Sequence, residues 1–164
     1  MGADAGITKG LEGKLAIMKF NFVPTEHFFD LLYNDVEFCN GMGKVMLSAS
    51  KLETSLRKFL KTKHIKFNPK ATLGNLVTIL IENNLLSENG QIHFKNLALQ
   101  RNYLAHNLYA LFTKEIEETI IIGIDELTAE DTDVFIYRAY QLAEDFLFFS
   151  EIVSKANINS NKLL

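Results

Sequence analysis

One cysteine, two prolines and no tryptophan occur in these 164 residues, and such scarcities limit what the chain can do. Cys39 alone can form neither an intrachain disulfide nor a multi-cysteine zinc site. That fits a reducing, cytoplasmic setting. No stretch approaches the roughly 20 apolar residues that would span a bilayer, so no membrane is expected as a partner. Residues 1–13 are small and glycine-rich and lack the charged-then-apolar order of a secretion signal. An excess of positive charge is missing too: the net charge of -3 gives no general attraction to nucleic acid. His27, His64 and His93 have no metal-ligand spacing with one another or with Cys39. Gly41-Met42-Gly43-Lys44 lacks the glycine spacing of a phosphate loop and the Ser or Thr after its lysine. No metal and no cofactor are expected.

What is present suits one helical domain with a phenylalanine-rich core, built from 13 Phe in a chain that is 48% hydrophobic. Residues 1–23 read as an arm, in which Leu15, Ile17, Phe20 and Phe22 roughly alternate and admit a short strand. Pro24, Thr25 and Glu26 read as a helix start. Beyond them Phe28, Leu32, Val36, Cys39, Met42, Met46, Ala49, Leu52, Leu56 and Phe59 keep helical spacing, which predicts one long helix to about Lys63. Gly41 and Gly43 are where it would kink, since each glycine costs about 1 kcal/mol relative to alanine.

Asn68-Pro69 predicts a turn, and Thr72 a cap for a second helix carrying Leu73, Leu76, Val77, Leu80 and Ile81 and ending near Asn83-Asn84. Asn89-Gly90 reads as another turn, followed by a helix from about Gln91 to Phe112. The β-branched run at 120–124 could pair as a strand with 15–22. Thr128 with Asp131 resembles a capping box that opens a last helix to about Ala156. Residues 157–164 read as a frayed tail. The expectation is therefore an all-α, up-and-down helical bundle over 24–156, with room for one short two-stranded element.

Charge is unevenly spread. Arg57, Lys58, Lys61, Lys63, Lys66 and Lys70 cluster in a stretch with no acid from Thr54 to Ile81. Glu115 to Glu151 holds eleven acids against the single base Arg138. A basic end can contact phosphates while an acidic end repels them. Lysines at a helix C-terminus also arise simply as a solvated, dipole-favoured end. Phe146, Leu147, Phe148 and Phe149 are too wide for one buried stripe, so part of that run is expected at a subunit or partner interface.

The segment at 101–106, Arg-Asn-Tyr-Leu-Ala-His, breaks the local rules. Arg101 falls on the line of Leu97, Leu104, Leu108 and Leu111, where a cation is expensive to bury unless something anionic meets it. Asn102, His106, Tyr109 and Thr113 form a second stripe. On a regular helix Arg101 and His106 would stand about 140° apart, so the two do not share a face. Such a conflict between propensity and burial is typical of functional sites.

Arg101, Asn102 and His106 resemble the Arg-x-x-x-x-His signature of HEPN domains (higher eukaryote and prokaryote nucleotide-binding). Upstream, Ser50-Lys51-Leu52-Glu53 on a long helix and Thr72-Leu73-Gly74-Asn75-Leu76 are similar in placement, so the likeness runs from about Asp30 to Tyr109. The resemblance implies a metal-independent endoribonuclease, working as a homodimer whose two motifs line one cleft, as a toxin or antiviral defence effector. RNA carries its own nucleophile in the 2′-OH. His106 would serve as general acid or base, Arg101 would hold the scissile phosphate, and Asn102 would orient the imidazole or bind phosphate. The products would be a 2′,3′-cyclic phosphate and a 5′-OH. Tyr109 and Glu53 are expected to line the cleft, and Arg57, Lys58, Lys61, Lys63 and Lys66 to bind RNA.

HEPN toxins that pair with minimal nucleotidyltransferase antitoxins usually carry a tyrosine two residues after the histidine. Here that position is Leu108, and Tyr109 comes one residue later. This departure puts control through that tyrosine in doubt, while an antitoxin or regulatory protein stays a possible partner. Relatives such as mannitol-operon repressors keep a similar segment and act as non-catalytic binding or regulatory modules. That reading stays open beside the enzymatic one.

Overall fold

A computed structural model describes residues 25–104, 128–156 and 162–164. The described residues form an all-α helical bundle: α1 (Thr25–Asn34), α2 (Val36–Thr62), α3 (Leu73–Glu82), α4 (Glu88–Asn102) and α5 (Thr132–Lys155). They contain no strand, and both segments proposed to pair as strands lie outside them. No helix among them is long and apolar enough to cross a membrane.

The single helix expected from residue 24 to about 63 is two. The chain breaks at Asp35, whose extended backbone (φ -80°, ψ 117°) ends α1 and whose carboxylate accepts from the Phe38 N–H at 2.7 Å as the N-cap of α2. Asp is a favoured cap because it satisfies an N–H that the helix cannot. The break resets the buried face: Val36 is 70% and Met46 47% exposed, while Phe38, Val45 and Ser48 turn inward. From Ala49 on, the expected stripe and the buried stripe coincide. The helix runs on without interruption through Gly41 and Gly43. Gly41 instead allows close packing, since a Cβ there would stand 3.0 Å from the Cβ of Ala139.

Helices α2 and α5 make the most extensive contact and run side by side in the same direction. Glu37 meets Tyr140 at one end (2.9 Å), and Ser55 meets Ser150 (2.9 Å) and Ser154 (3.2 Å) at the other. Helix α4 runs against α5, with His93 and Phe94 on Phe149. One core joins α2, α3, α4 and α5 around Leu52, Leu56, Leu60, Leu80, Phe94 and Phe146. A smaller one, Phe28, Leu32, Phe38 and Phe135, holds α1 down. Met42 and Tyr103 pack against both.

Two helices end alike. The N–H of Ile65 reaches the Leu60 carbonyl (3.0 Å) and that of Leu85 the Leu80 carbonyl (2.9 Å), with His64 (φ 56°) and Asn84 (φ 54°) left-handed between. This is the Schellman arrangement, and it closes α3 where its asparagines predict. At the start of α3, Thr72 is the N-cap, as expected. Before α5 the Asp131 carboxylate accepts from both the N–H and the hydroxyl of Thr128, at 2.6 and 2.9 Å, and a short 3-10 turn at Ala129–Asp131 leads into the helix.

Two further expectations need correcting. Asn89-Gly90 is no turn but the first turn of α4, capped by the Ser87 hydroxyl, which accepts from the Gly90 N–H at 3.0 Å. The end of the chain, expected to fray, is pinned at Leu163, which is 1% exposed. Its N–H donates to the Leu85 carbonyl (2.8 Å) and its carbonyl accepts from the Ser87 N–H (3.2 Å), an isolated bridge with Leu86. Burying such a leucine contributes roughly 2 kcal/mol. Gly90 leaves room for it: a Cβ there would meet the Leu163 oxygen at 2.8 Å.

Candidate functional site

Arg101 occupies the last turn of α4 between Leu97 and Leu104, which are 5% and 9% exposed. It is half-buried, on the apolar line where its spacing puts it, while Asn102 points to solvent. Just beyond, at Tyr103 and Leu104, the helix widens into a π-type turn. Turns of this kind are rare and frequently mark functional sites. Among the described residues the buried Tyr103 hydroxyl has no hydrogen-bond partner. Burial pushes that phenol up to about 12, opposed in part by the positive charge of Arg138 on α5. His106, Tyr109 and Thr113 lie outside the described residues.

Glu53 and Arg57, expected in the cleft and on RNA respectively, are tied into the fold. One Glu53 oxygen accepts from Arg57 at 3.0 Å and the other from the Leu73 N–H at 3.1 Å; Arg57 also donates to the Ala71 carbonyl at 2.7 Å. This trio clamps the α2–α3 loop and places a carboxylate at the positive end of α3, where anions are favoured. Both partners are long-range in sequence, so nothing local in 53–57 announces them.

Lys58, Lys61 and Lys66 are exposed, and Lys63 lies with its ammonium 5.6 Å from the Phe59 ring. These lysines do not gather around Arg101. Tyr103 packs against the same small core as Met42, near the start of α2, whereas Lys58 and Lys61 are near its end. At 1.5 Å per residue, Met42 and Lys58 are about 24 Å apart along the helix. Tyr103, two residues after Arg101, and the lysines Lys58 and Lys61 thus lie near opposite ends of α2.

A groove of about 570 Å³ runs along the seam of α4 and α5, and sequence reading missed it. His93, Phe148 and Phe149 line it together with Asn96, Gln100 and Asp145. Within the run at 146–149, Phe146 and Phe149 are buried while Leu147 and Phe148 face outward, at 40% and 60% exposure. The clue was there in the mixed run, but its partner face on α4 shows almost no amphipathic pattern. Among the described residues, no three His, Cys, Asp or Glu side chains converge as a metal set.

No family model, no curated protein and no solved structure matches this chain.

Proposed function

We propose that this chain is a HEPN-type, metal-independent endoribonuclease that acts as a cytoplasmic homodimer, in the manner of a toxin or defence effector. The observation that carries the reading is Arg101, half-buried between two buried leucines in the Arg-Asn-x-x-x-His segment. A cation held there suits a fixed anion site better than a solvated surface. The π-type turn that begins at Tyr103 adds to it, since turns of this kind frequently mark functional sites.

In this mechanism His106 takes the proton from the 2′-OH, which attacks the adjacent phosphorus; the P–O5′ bond breaks. The leaving 5′-oxygen receives a proton from the second subunit's copy of the same histidine or from water. Arg101 stabilises the charge that builds on the phosphate, and Asn102 orients the imidazole. The exposed lysines at the far end of α2 hold RNA away from the reaction, and an antitoxin or other regulatory protein would govern access.

The test is RNA cutting by purified protein in EDTA, with products analysed for 2′,3′-cyclic phosphate and 5′-OH ends. Arg101→Ala and His106→Ala should each abolish cutting while the protein stays folded. Cutting that survives both substitutions would sink the proposal. The second reading, a non-catalytic module that binds a regulatory partner, gains from the distance between the lysines and Arg101, and predicts no cutting on any RNA.

A further inference from the structure

The groove between α4 and α5 combines features that neither packing nor the proposed chemistry uses. Its floor is aromatic: Phe149 packs on His93 at 5.6 Å and meets Phe148 edge-on at 5.4 Å and 89°. Phe148 stays 60% exposed, an apolar ring held upright with a free face. Around it stand three side-chain amides, Asn89, Asn96 and Gln100, and one carboxylate, Asp145. None of these four makes a side-chain hydrogen bond or ion pair among the described residues. No lysine or arginine is among the described lining residues either. Burial, and then the neighbouring charge of Glu144, hold the Asp145 carboxyl above the usual carboxylate range, as for an anion that lacks a donor.

An exposed ring beside amides and an acid is the equipment that reads an unpaired base, by stacking on its face and hydrogen bonding to its edge. The carboxylate narrows the choice. Ionised, it is two acceptors side by side, and the base edge that offers two adjacent donors is that of guanine, N1–H with N2–H2. Adenine, cytosine and uracil mix donor and acceptor along that edge, which suits an amide. The absence of cations from the described lining fits a neutral base better than a phosphate, which has to go elsewhere. Gln100 is the residue before Arg101, and Leu97 lies one turn, about 6 Å of rise, before it. The arginine thus follows directly on one end of the groove, within reach of a phosphate adjoining a base held there.

We infer that the α4–α5 groove is a guanine subsite, in which Phe148 stacks on the base, Asp145 accepts from N1–H and N2–H2, and the adjoining phosphate is delivered to Arg101. The last step rests on the ribonuclease reading, and base binding does not.

Calorimetric titration of the full chain with four 2′-O-methyl dinucleotides, GpA, ApA, CpA and UpA, tests it without cleavage, because the methyl blocks the 2′-oxygen. GpA should bind roughly tenfold tighter than the others, the scale of one good bidentate contact. Asp145→Asn should bring GpA level with ApA, and Phe148→Ala should weaken all four together. Both positions are partly or largely exposed, and Phe148→Leu, which keeps bulk but not the ring, serves as the packing control. Equal affinity for the four, or a guanine margin that survives Asp145→Asn, would overturn the inference. Unmodified RNA separates the two ideas. Cutting with no preference for guanine overturns the subsite and leaves the nuclease, whereas guanine binding without cutting removes the nuclease and leaves the subsite.

Discussion

Glu53 and Arg57 stand one turn apart on α2, 3.0 Å between carboxylate and guanidinium, and together they hold down the start of α3. Their side chains are only 16% and 26% exposed, so the contact is not a solvated surface pair. Removing either leaves the other short of a partner in a poorly hydrated place, and the Leu73 N–H or the Ala71 carbonyl along with it. Hydrogen bonds to charged groups contribute about 1.5–3 kcal/mol each. Glu53→Ala and Arg57→Ala should therefore each lower unfolding stability by about 2 kcal/mol in urea titrations, and the double substitution by less than the sum. Any loss of RNA cutting in these variants should track the unfolded fraction and return when the temperature is lowered.

The lysines should behave differently. Lys58, Lys61 and Lys66 are exposed, and Lys58 and Lys61 lie at the far end of α2 from Met42; on the ribonuclease reading they would contribute to affinity through phosphate contacts and not to the chemical step. Replacing all three by alanine should weaken RNA binding, reduce the slope of log K against log salt by up to about 2, and leave stability within about 0.5 kcal/mol. The cutting rate at saturating RNA should not change. A large fall in that saturated rate, with binding intact, would place the lysines at the reacting phosphate and contradict the separation along α2.

Local chemistry was the legible part of this chain. Thr72, Asn83-Asn84, and Thr128 with Asp131 mark helix ends because capping is decided within four residues. Asp35 carries the same kind of signal, with Glu37 in the turn that follows, but the apolar spacing runs on across it and masks the break. Asn89-Gly90 misleads for a tertiary reason: the glycine is needed where Leu163 crosses over α4, a contact made some 70 residues away. Arg101 could be placed on its apolar line from spacing alone. Glu53 and Arg57 could not be placed, since an i,i+4 acid–base pair reads the same whether it is solvated or clamps a loop.

Gly41 and Gly43 make a paired test of helix packing. Both lie inside α2, and alanine gains about 1 kcal/mol over glycine in a helix interior. Nothing stands within 4 Å of a Cβ at Gly43, so Gly43→Ala should stabilise by up to that amount. At Gly41 the new methyl meets the Cβ of Ala139 at 3.0 Å and the Tyr140 ring at 3.3 Å, between two long parallel helices that cannot part locally. Gly41→Ala should destabilise by about 1–3 kcal/mol, as overpacking does. Thermal unfolding of the two variants should move in opposite directions from the parent. Equal gains would mean that α2 and α5 are less tightly packed than this.

Tyr103 offers a test of the π-type turn through pH. Its hydroxyl is buried without a partner among the described residues, and its ionisation is pushed from an ordinary 10.0 up to about 12 by that burial, even with Arg138 nearby. Folding thus favours the neutral phenol. Between pH 10 and about 12 the unfolded chain has released the proton and the folded chain still holds it, so the unfolded state binds fewer protons and stability falls as pH rises. Below pH 10 both states are neutral and the contribution is constant. Tyr103→Phe removes the titration, so the variant should lose less stability than the parent over that window. It also removes an unsatisfied buried hydroxyl, and near neutral pH it should be no less stable than the parent, gaining up to about 1 kcal/mol. If Phe destabilises at neutral pH, the hydroxyl has a partner, and the most informative place to look for it is across the subunit boundary that the proposed cleft requires.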